Sequence, residues 1–289
     1  MIKKGIILAG GLGSRMSPLT KAVNKQLLPL YDKPLIFYPL SILMLAGIRD
    51  ILIIVNKGQL SQFKKILPEQ NNLGLKIIYK EQLKPAGLPQ AFTIGEKFIG
   101  KDNVSLILGD NFFYGQSLTK ILKKNLIFQS GAKVFLHPVR NPQNYGVAFL
   151  NNKKKVVKLI EKPKKTKSNL AVTGLYFFDN KVVNLSKKLK PSKRGELEII
   201  DLLNVYRSKK RLQAELIGRG GAWLDTGNIK DYYDASNFIS AIESRQGLKI
   251  ACLEEIAFNN GWIQKHHIKK SIKFYGNCSY SKYLRSIII

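Results

Sequence analysis

The sequence predicts an α/β fold: a Rossmann-like, mixed but mostly parallel central sheet flanked by helices, with an inserted antiparallel region and helical elements at the C-terminus. Three observations predict it. Residues 51–55, 75–79 and 104–108 are short, mostly apolar runs, as expected of strands covered on both faces of a parallel sheet. Between them, residues 39–46 and 90–98 have patterns that suit crossover helices. From about Ala132 the pattern changes to strand-like runs at 134–136, 145–150, 156–160 and 170–178, with a polar turn at Asn151 and Asn152. Antiparallel pairing thus enters as an insertion into one fold rather than a separate domain.

The chain opens with a strand that runs into Gly10, Gly11 and Gly13, followed by Ser14 and Arg15. Glycines let backbone amides approach phosphate oxygens without a Cβ in the way, and Arg15 can add a bidentate charged contact. A purely structural turn is the alternative; nearby Lys25 and Gln26 shift the balance toward a triphosphate. The strand at 104–108 ends in Gly109, Asp110 and Asn111, where a carboxylate at a sheet edge can coordinate a hard cation. Asp225, between Trp223 and Gly227, is a second carboxylate beside a turn and a helix start. Either aspartate alone also reads as an ordinary turn or cap residue, and sequence separation cannot show that they converge.

Glu161, Lys162 and Pro163 close the strand at 156–160. Lys162 suits a phosphate and Glu161 a sugar hydroxyl, or the two form a surface pair. Arg194 to Glu198 either bind a polyol or cap the following helix. Asn228 caps a long helix whose apolar face is Ile229, Tyr232, Tyr233, Ala235, Ser236, Ile239 and Ile242, with Lys230, Asp234 and Glu243 opposite and Gly247 as its stop. Residues 253–258 and 280–288 suggest terminal helical elements, and Ile287, Ile288 and Ile289 a packing stripe.

Composition bounds the function classes. Of 289 residues, 45% are apolar and 23% charged, the proportions of a globular protein. The 48 basic and 19 acidic residues give +29, which admits polyanionic partners, nucleic acid and anionic lipid included. Yet the lysines are spread in short groups such as Lys153, Lys154 and Lys155, without a basic tail or basic-aromatic module. Cys252 and Cys278 are too few for a disulfide framework and read as reduced, buried thiols. No run approaches the roughly 20 apolar residues of a membrane-spanning helix and no signal peptide is evident, so cytoplasmic residence is expected. Met16 stands where a dinucleotide fingerprint has its third glycine, and no P-loop ending follows. His137, His266 and His267 lack zinc-ligand spacing, and there is no GxSxG elbow.

The whole set resembles the sugar nucleotidyltransferases of the glucose-1-phosphate thymidylyltransferase family. The resemblance runs through residues 10–15, 24–29, 31–34, 85–92, 108–111, 145–147, 161–163, 173–176, 194–199, 218–220, 222–227 and 254–258. It implies a single nucleotidyltransferase domain over 1–289, with a mainly nucleotide-binding core at 1–131, a mainly sugar-phosphate and metal-site region at 132–227 and a helical and assembly region at 228–289. The implied reaction passes a thymidylyl group from dTTP to α-D-glucose 1-phosphate, giving dTDP-glucose and pyrophosphate. Arg15 and Lys25 would hold the triphosphate, Asp110 and Asp225 an Mg²⁺ ion, and Lys162 the sugar phosphate.

Leu8, Gly10, Gly11, Gly13, Ser14, Gln26, Gln82, Pro85, Gly87 and Leu88 would complete the nucleotide side. Asn111, Tyr145, Gly146, Glu161, Thr173 and Tyr176 would complete the sugar side, and Trp223 would support the Asp225 turn. A homotetramer, feedback by dTDP-rhamnose and a role in polysaccharide precursor supply belong to the same implication. Three positions depart from the family pattern: Pro89 where alanine is common, Ile200 where threonine is, and Leu203 where asparagine is. Pro89 bears on the nucleotide choice, since its rigidity can adjust the base loop. UTP-dependent or dual-specificity uridylyl transfer is the enzymatic alternative; basic nucleic-acid binding and a noncatalytic scaffold are alternatives of other classes.

Overall fold

The computed structural model describes residues Met1–Ile289. Its strands, numbered in chain order, are β1 (Lys4–Ala9), β2 (Pro29–Leu30), β3 (Lys33–Pro34), β4 (Asp50–Asn56), β5 (Lys76–Gln82), β6 (Val104–Leu108), β7 (Asn111–Gly115), β8 (Ala132–Pro138), β9 (Gly146–Leu150), β10 (Val156–Glu161), β11 (Leu170–Phe178), β12 (Leu212–Leu216) and β13 (Gly221–Asp225). Nine form one sheet in the order β10-β9-β11-β6-β1-β4-β5, with β8 and β12 branching from β11. Strands β6, β1, β4 and β5 are parallel, whereas β11 runs antiparallel to β6, β8 and β9. The Rossmann-like mixed sheet with an antiparallel insertion is therefore the observed fold.

Burial explains why the parallel strands are continuous apolar runs. Ile51, Ile53 and Val55 of β4 face one core with Phe37 and Leu40, while Leu52 and Ile54 face the other with Phe92 and Ile99. Alternation vanishes when both faces are covered by helices. Strand β11 forks: Ala171 pairs Val147 of β9, while Leu175 to Phe178 pair β6. Its register against β8 shifts between Val172 and Tyr176, freeing the backbone of Gly174 for another use.

Separately, β7 and β13 form a two-stranded antiparallel sheet with Asn111 opposite Asp225. That pairing makes residues far apart in sequence neighbours, and Thr226 extends it by donating its backbone N–H (3.1 Å) and hydroxyl (2.8 Å) to the Asp110 carbonyl.

Several local expectations need correction. The helix at 90–98 breaks at Gly95 into Gln90–Ile94 and Glu96–Ile99, whereas Asp225 does stand, as expected, before a turn and a helix start, at the end of β13. Helices Leu60–Ile66, Leu118–Asn125, Val182–Ser186 and Lys265–Tyr275 add to the elements that the sequence predicts, and the helix expected after Glu198 is Ile199–Ser208. Cys252 is buried as expected, but Cys278 is exposed, where its Sγ accepts from the Ser281 N–H at the start of helix Ser279–Ser286. Ile287 and Ile288 pack partly against the core, and Ile289 is exposed. No helix is long and apolar enough to cross a membrane.

Helix Ile229–Gln246 has the expected ends: the Asn228 side chain accepts from the Asp231 N–H (2.9 Å), and Gly247 stops it at φ 70°. Its buried stripe is narrower than expected, however. Tyr232, Ala235 and Ile239 are buried, but Ile229 and Tyr233 are exposed. Glu243, expected on the polar side, is also buried. It accepts from the Ile250 N–H (2.8 Å), Lys33 (3.1 Å) and Lys249 (3.2 Å), while Asp32 pairs with both lysines. This cluster ties the β2–β3 hairpin to the helix.

Removing one member of a buried ion cluster strands its partners without solvent. Glu243→Ala is therefore expected to destabilise the fold by about 3–5 kcal/mol, and Glu243→Gln by less, because the amide oxygen still accepts from Ile250. Urea denaturation midpoints of the two variants check the order.

Candidate active site

The parallel strands end in a cleft of about 300 Å³, at the carboxyl edge where open α/β sheets bind ligands. The glycine turn forms one wall. Asn56, at the end of β4, locks it by accepting from the Gly11 N–H (2.9 Å) and donating to the Gly11 carbonyl (2.8 Å). A Cβ on Gly10 would lie 2.3 Å from Gln82 Oε1, so a larger residue there would displace the Gln82 side chain. Gly13, at φ 60°, starts the short turn Ser14–Met16 that carries the exposed Arg15. The Arg15 guanidinium approaches Asp225: an added Cβ on Gly227 would lie 3.0 Å from both Arg15 Nη2 and Asp225 Oδ2.

Lys25 is held in the turn Lys25–Leu27, where Asn24 accepts from the Gln26 N–H (2.8 Å). Its ammonium lies 2.7 Å from Asp110 Oδ2. Burial works to raise Asp110, but the charge and hydrogen bond of Lys25, with help from Asn111 and Arg15, outweigh it and hold the carboxyl below its usual range. Asp225 has the opposite balance. Burial and then the Asp110 charge push it up to about 7, against the weaker pull of Lys25 and Arg15.

A second wall comes from β9, β10, β11 and the segment before helix Ile199–Ser208. Lys162 sits just beyond β10 in a left-handed conformation, φ 40°, with its N–H donating to the Tyr145 carbonyl (3.1 Å); such backbone strain concentrates where a side chain must be aimed. A Cβ on Gly146 would lie 2.5 Å from Ile200 Cδ1. Arg194 donates through Nη2 to both Glu198 oxygens (2.8 Å) and approaches Glu161 (3.3 Å). Burial, and next the nearby Glu198, raise the Glu161 carboxyl.

Of the residues expected at the site, Leu8, Gly10, Arg15, Gln26, Gly87, Leu88, Asp110, Asn111, Tyr145, Gly146, Glu161, Lys162, Tyr176 and Asp225 line the cleft. Lys25 reaches it through Asp110. Gly11, Gly13, Ser14, Gln82, Pro85 and Thr173 stand outside its lining. Gln82 is buried and donates to Gln90 Oε1 (2.6 Å). Thr173 is turned away, its hydroxyl donating to the Phe135 carbonyl (2.9 Å), because neighbouring strand residues face opposite sides and Val172 and Gly174 take the cleft side.

Trp223 bonds to Asn111 rather than to the Asp225 turn. Arg194, Glu198 and Ile200 also line the cleft; the four-residue spacing of Arg194 and Glu198 was the available signal for their pairing.

Asp110 and Asp225 suit a hard divalent cation. Both are carboxylates, the Asp225 carboxylate has no hydrogen-bond or ion-pair partner in the chain, and their mutual repulsion is what a cation relieves. A carboxyl with a raised folded value carries the sign opposite to a salt-bridged one: the folded state binds more protons, so its charge costs stability increasingly as pH rises from 3.8 to about 7. Asp225→Asn is accordingly expected to raise the melting temperature of the metal-free protein at pH 8, with the gain fading toward pH 4. Calorimetry across that range in chelator checks the sign.

Comparison with known proteins identifies the family. The nucleotidyl transferase family profile matches residues 4–242. A glucose-1-phosphate thymidylyltransferase of Neisseria meningitidis is 50% identical over 285 residues, covering 99% of both chains. One from Mycobacterium tuberculosis is 45% identical over 287 residues, again covering 99% of both. A Bacillus anthracis structure, assigned as a glucose-1-phosphate thymidylyltransferase and crystallised with sucrose, superposes with a TM-score of 0.75 at 39% identity over 81% of this chain and 94% of that one. A UDP-glucose pyrophosphorylase bound to UDP-glucose gives 0.74 at 27% identity over 85% of this chain and 100% of that one. The chain belongs to the glucose-1-phosphate thymidylyltransferase family of nucleotidyl transferases.

Proposed function

We propose that the protein transfers a thymidylyl group from dTTP to α-D-glucose 1-phosphate, with Mg²⁺, giving dTDP-glucose and pyrophosphate. The observation that carries this reading is the meeting of Arg15, Lys25, Asp110, Asp225 and Lys162 around one cleft. No side chain need act as a nucleophile. An oxygen of the sugar phosphate attacks the nucleotide α-phosphorus, a new P–O bond forms, and the bond to pyrophosphate breaks on the opposite side.

The chain's contribution is positioning and charge. Arg15 and Lys25 offset the triphosphate, and Lys162 orients the attacking phosphate. The glycine turn admits close backbone approach, while Glu161 and the small Gly146 leave room and an acceptor for the sugar. Mg²⁺, held by Asp110 and Asp225 with substrate oxygens and water completing its shell, would neutralise charge on the phosphates. Gln82 and Pro85 are assigned to support the base loop, and Gly87 and Leu88 to line the base region. The same reading takes in a cytoplasmic homotetramer with dTDP-rhamnose feedback.

Uridylyl transfer is the second reading, favoured by the similarity to a UDP-glucose pyrophosphorylase fold. Pyrophosphate release with glucose 1-phosphate and either dTTP or UTP decides between them: a higher kcat/KM for dTTP is expected, and a large UTP preference would reverse the assignment.

Two substitutions test the division of labour. Lys162→Ala removes the charge that orients the sugar phosphate and is expected to impair glucose 1-phosphate use while dTTP binding changes less; equal losses for both substrates in a folded variant would contradict it. Asp110→Asn keeps the side-chain volume but removes an anionic ligand, and should lower kcat/KM by at least about 10²-fold, measured over an Mg²⁺ titration with folding checked by circular dichroism.

A further inference from the structure

Asn111 belongs by resemblance to the sugar-side residues, yet its side chain is engaged elsewhere. It is only 2% exposed. Its Oδ1 accepts from Trp223 Nε1 (2.6 Å) and from the Gly174 N–H (2.9 Å), the group freed where β11 slips register. Two donors converging on one end of the amide fix its orientation, since a flipped amide would set its NH₂ against both. Nδ2 is thereby aimed at Asp110 Oδ1, 3.0 Å away.

The other Asp110 oxygen faces Lys25, at 2.7 Å, a group assigned to substrate phosphate. Trp223 is itself wedged, edge-on to Tyr145 (ring centroids 5.1 Å) and beside His137 (6.4 Å), whose Nε2 meets the Gly221 carbonyl at 3.2 Å. The anchor of Asp110 therefore passes through β7 and β13 to β11 and β8.

We propose that Asn111 is a positioning residue, which holds the Asp110 carboxylate in its metal-binding orientation and acts on the reaction through Asp110 rather than by reading the sugar. This rests on the metal-dependent nucleotidyl transfer proposed above. Partners behind a metal ligand fix its direction and are sensitive to substitution. The sugar-reading rival must rely on the one remaining N–H of a nearly inaccessible amide.

The test pairs two readouts: Mn²⁺ affinity of the enzyme–dTTP complex by electron paramagnetic resonance, without sugar phosphate or turnover, and steady-state kinetics with glucose 1-phosphate. Asn111→Ala is expected to weaken Mn²⁺ binding and lower kcat by about 10–100-fold each, leaving KM for glucose 1-phosphate within about twofold. On an Asp110→Ala background the same substitution should add almost nothing to the loss of Mn²⁺ affinity, because its target is gone. A raised KM for glucose 1-phosphate with unchanged Mn²⁺ affinity, or an undiminished effect on the Asp110→Ala background, would overturn the proposal.

Should Asn111→Ala fail to fold, Asn111→Asp keeps the shape and both accepted bonds but turns an acceptor toward Asp110. Its kcat should fall with KM for the sugar phosphate unchanged, and a retained kcat would overturn the proposal equally. Failure of the wild type to form any nucleotide sugar would refute the reaction itself, while the Mn²⁺ titrations would still decide whether Asn111 and Asp110 are coupled.

Discussion

Repulsion between two neighbouring carboxylates, Asp110 and Asp225, is the constraint around which the site is arranged. Left alone, burial of both charges would be relieved by protonation of one, and the raised value of Asp225 shows that tendency. The fold resists separation by a short two-stranded sheet, β7 with β13, and by the two bonds from Thr226 to the Asp110 carbonyl. It then treats the pair unequally. Asp110 is bonded at both oxygens, to Lys25 and Asn111, whereas Asp225 has no partner in the chain. One carboxylate is thus fixed by partners and the other left uncompensated, an imbalance that costs stability at neutral pH and that a divalent cation would relieve.

Much of the fold was legible because its central strands are buried on both faces and announce themselves as apolar runs. The convergence of the two aspartates was not. Strand β13 reads GAWLD and β7 reads NFFYG; each is short, and their glycines and polar ends resemble turns more than strands. Nothing local says that they pair with each other. Glu243 misled for a related reason: helical periodicity sorts side chains by polarity, so a carboxylate buried against Lys33, from a distant hairpin, and Lys249, just beyond its own helix, is assigned to solvent. Thr173 illustrates the converse limit. The resemblance put it on the sugar side, but strand alternation sent its side chain behind the wall, where its hydroxyl donates to the Phe135 carbonyl.

The departures from the family pattern become intelligible once placed. Pro89 occupies the N-cap of helix Gln90–Ile94 with φ −60°, a value the pyrrolidine ring already prefers, so the turn before that helix accommodates it without distortion. Leu203 is buried among apolar neighbours, and there a polar amide would need a partner. Ile200 has the larger reach. It lines the cleft, and its Cδ1 comes within 2.5 Å of the Cβ that Gly146 lacks, so glycine at one position and a branched apolar side chain at the other define one wall together. The nearby segment is also pinned by Gly87, at φ 106°, where a Cβ would strike the Leu197 carbonyl oxygen at 2.1 Å. The two segments thus share a backbone contact that no larger residue permits.

Charge acts on two scales in this molecule, and only one of them can be selective. The +29 balance is distributed over a solvated surface where pairs such as Lys64–Glu69 and Lys230–Asp234 are open to water and contribute little to stability. Such a field draws in any polyanion, a nucleotide triphosphate or a nucleic acid alike, and salt screens it within about 10 Å. Discrimination has to come from groups that cannot relax toward the wrong ligand. Lys25 is buried and held against Asp110, Lys162 is fixed by a left-handed backbone and its bond to Tyr145, and Arg194 is tethered to Glu198. Lys25 and Arg194 have their charged ends held by carboxylates, whereas Lys162 is restrained through its backbone, so any selectivity beyond the diffuse surface field has to rest on where these groups are set and not on net charge.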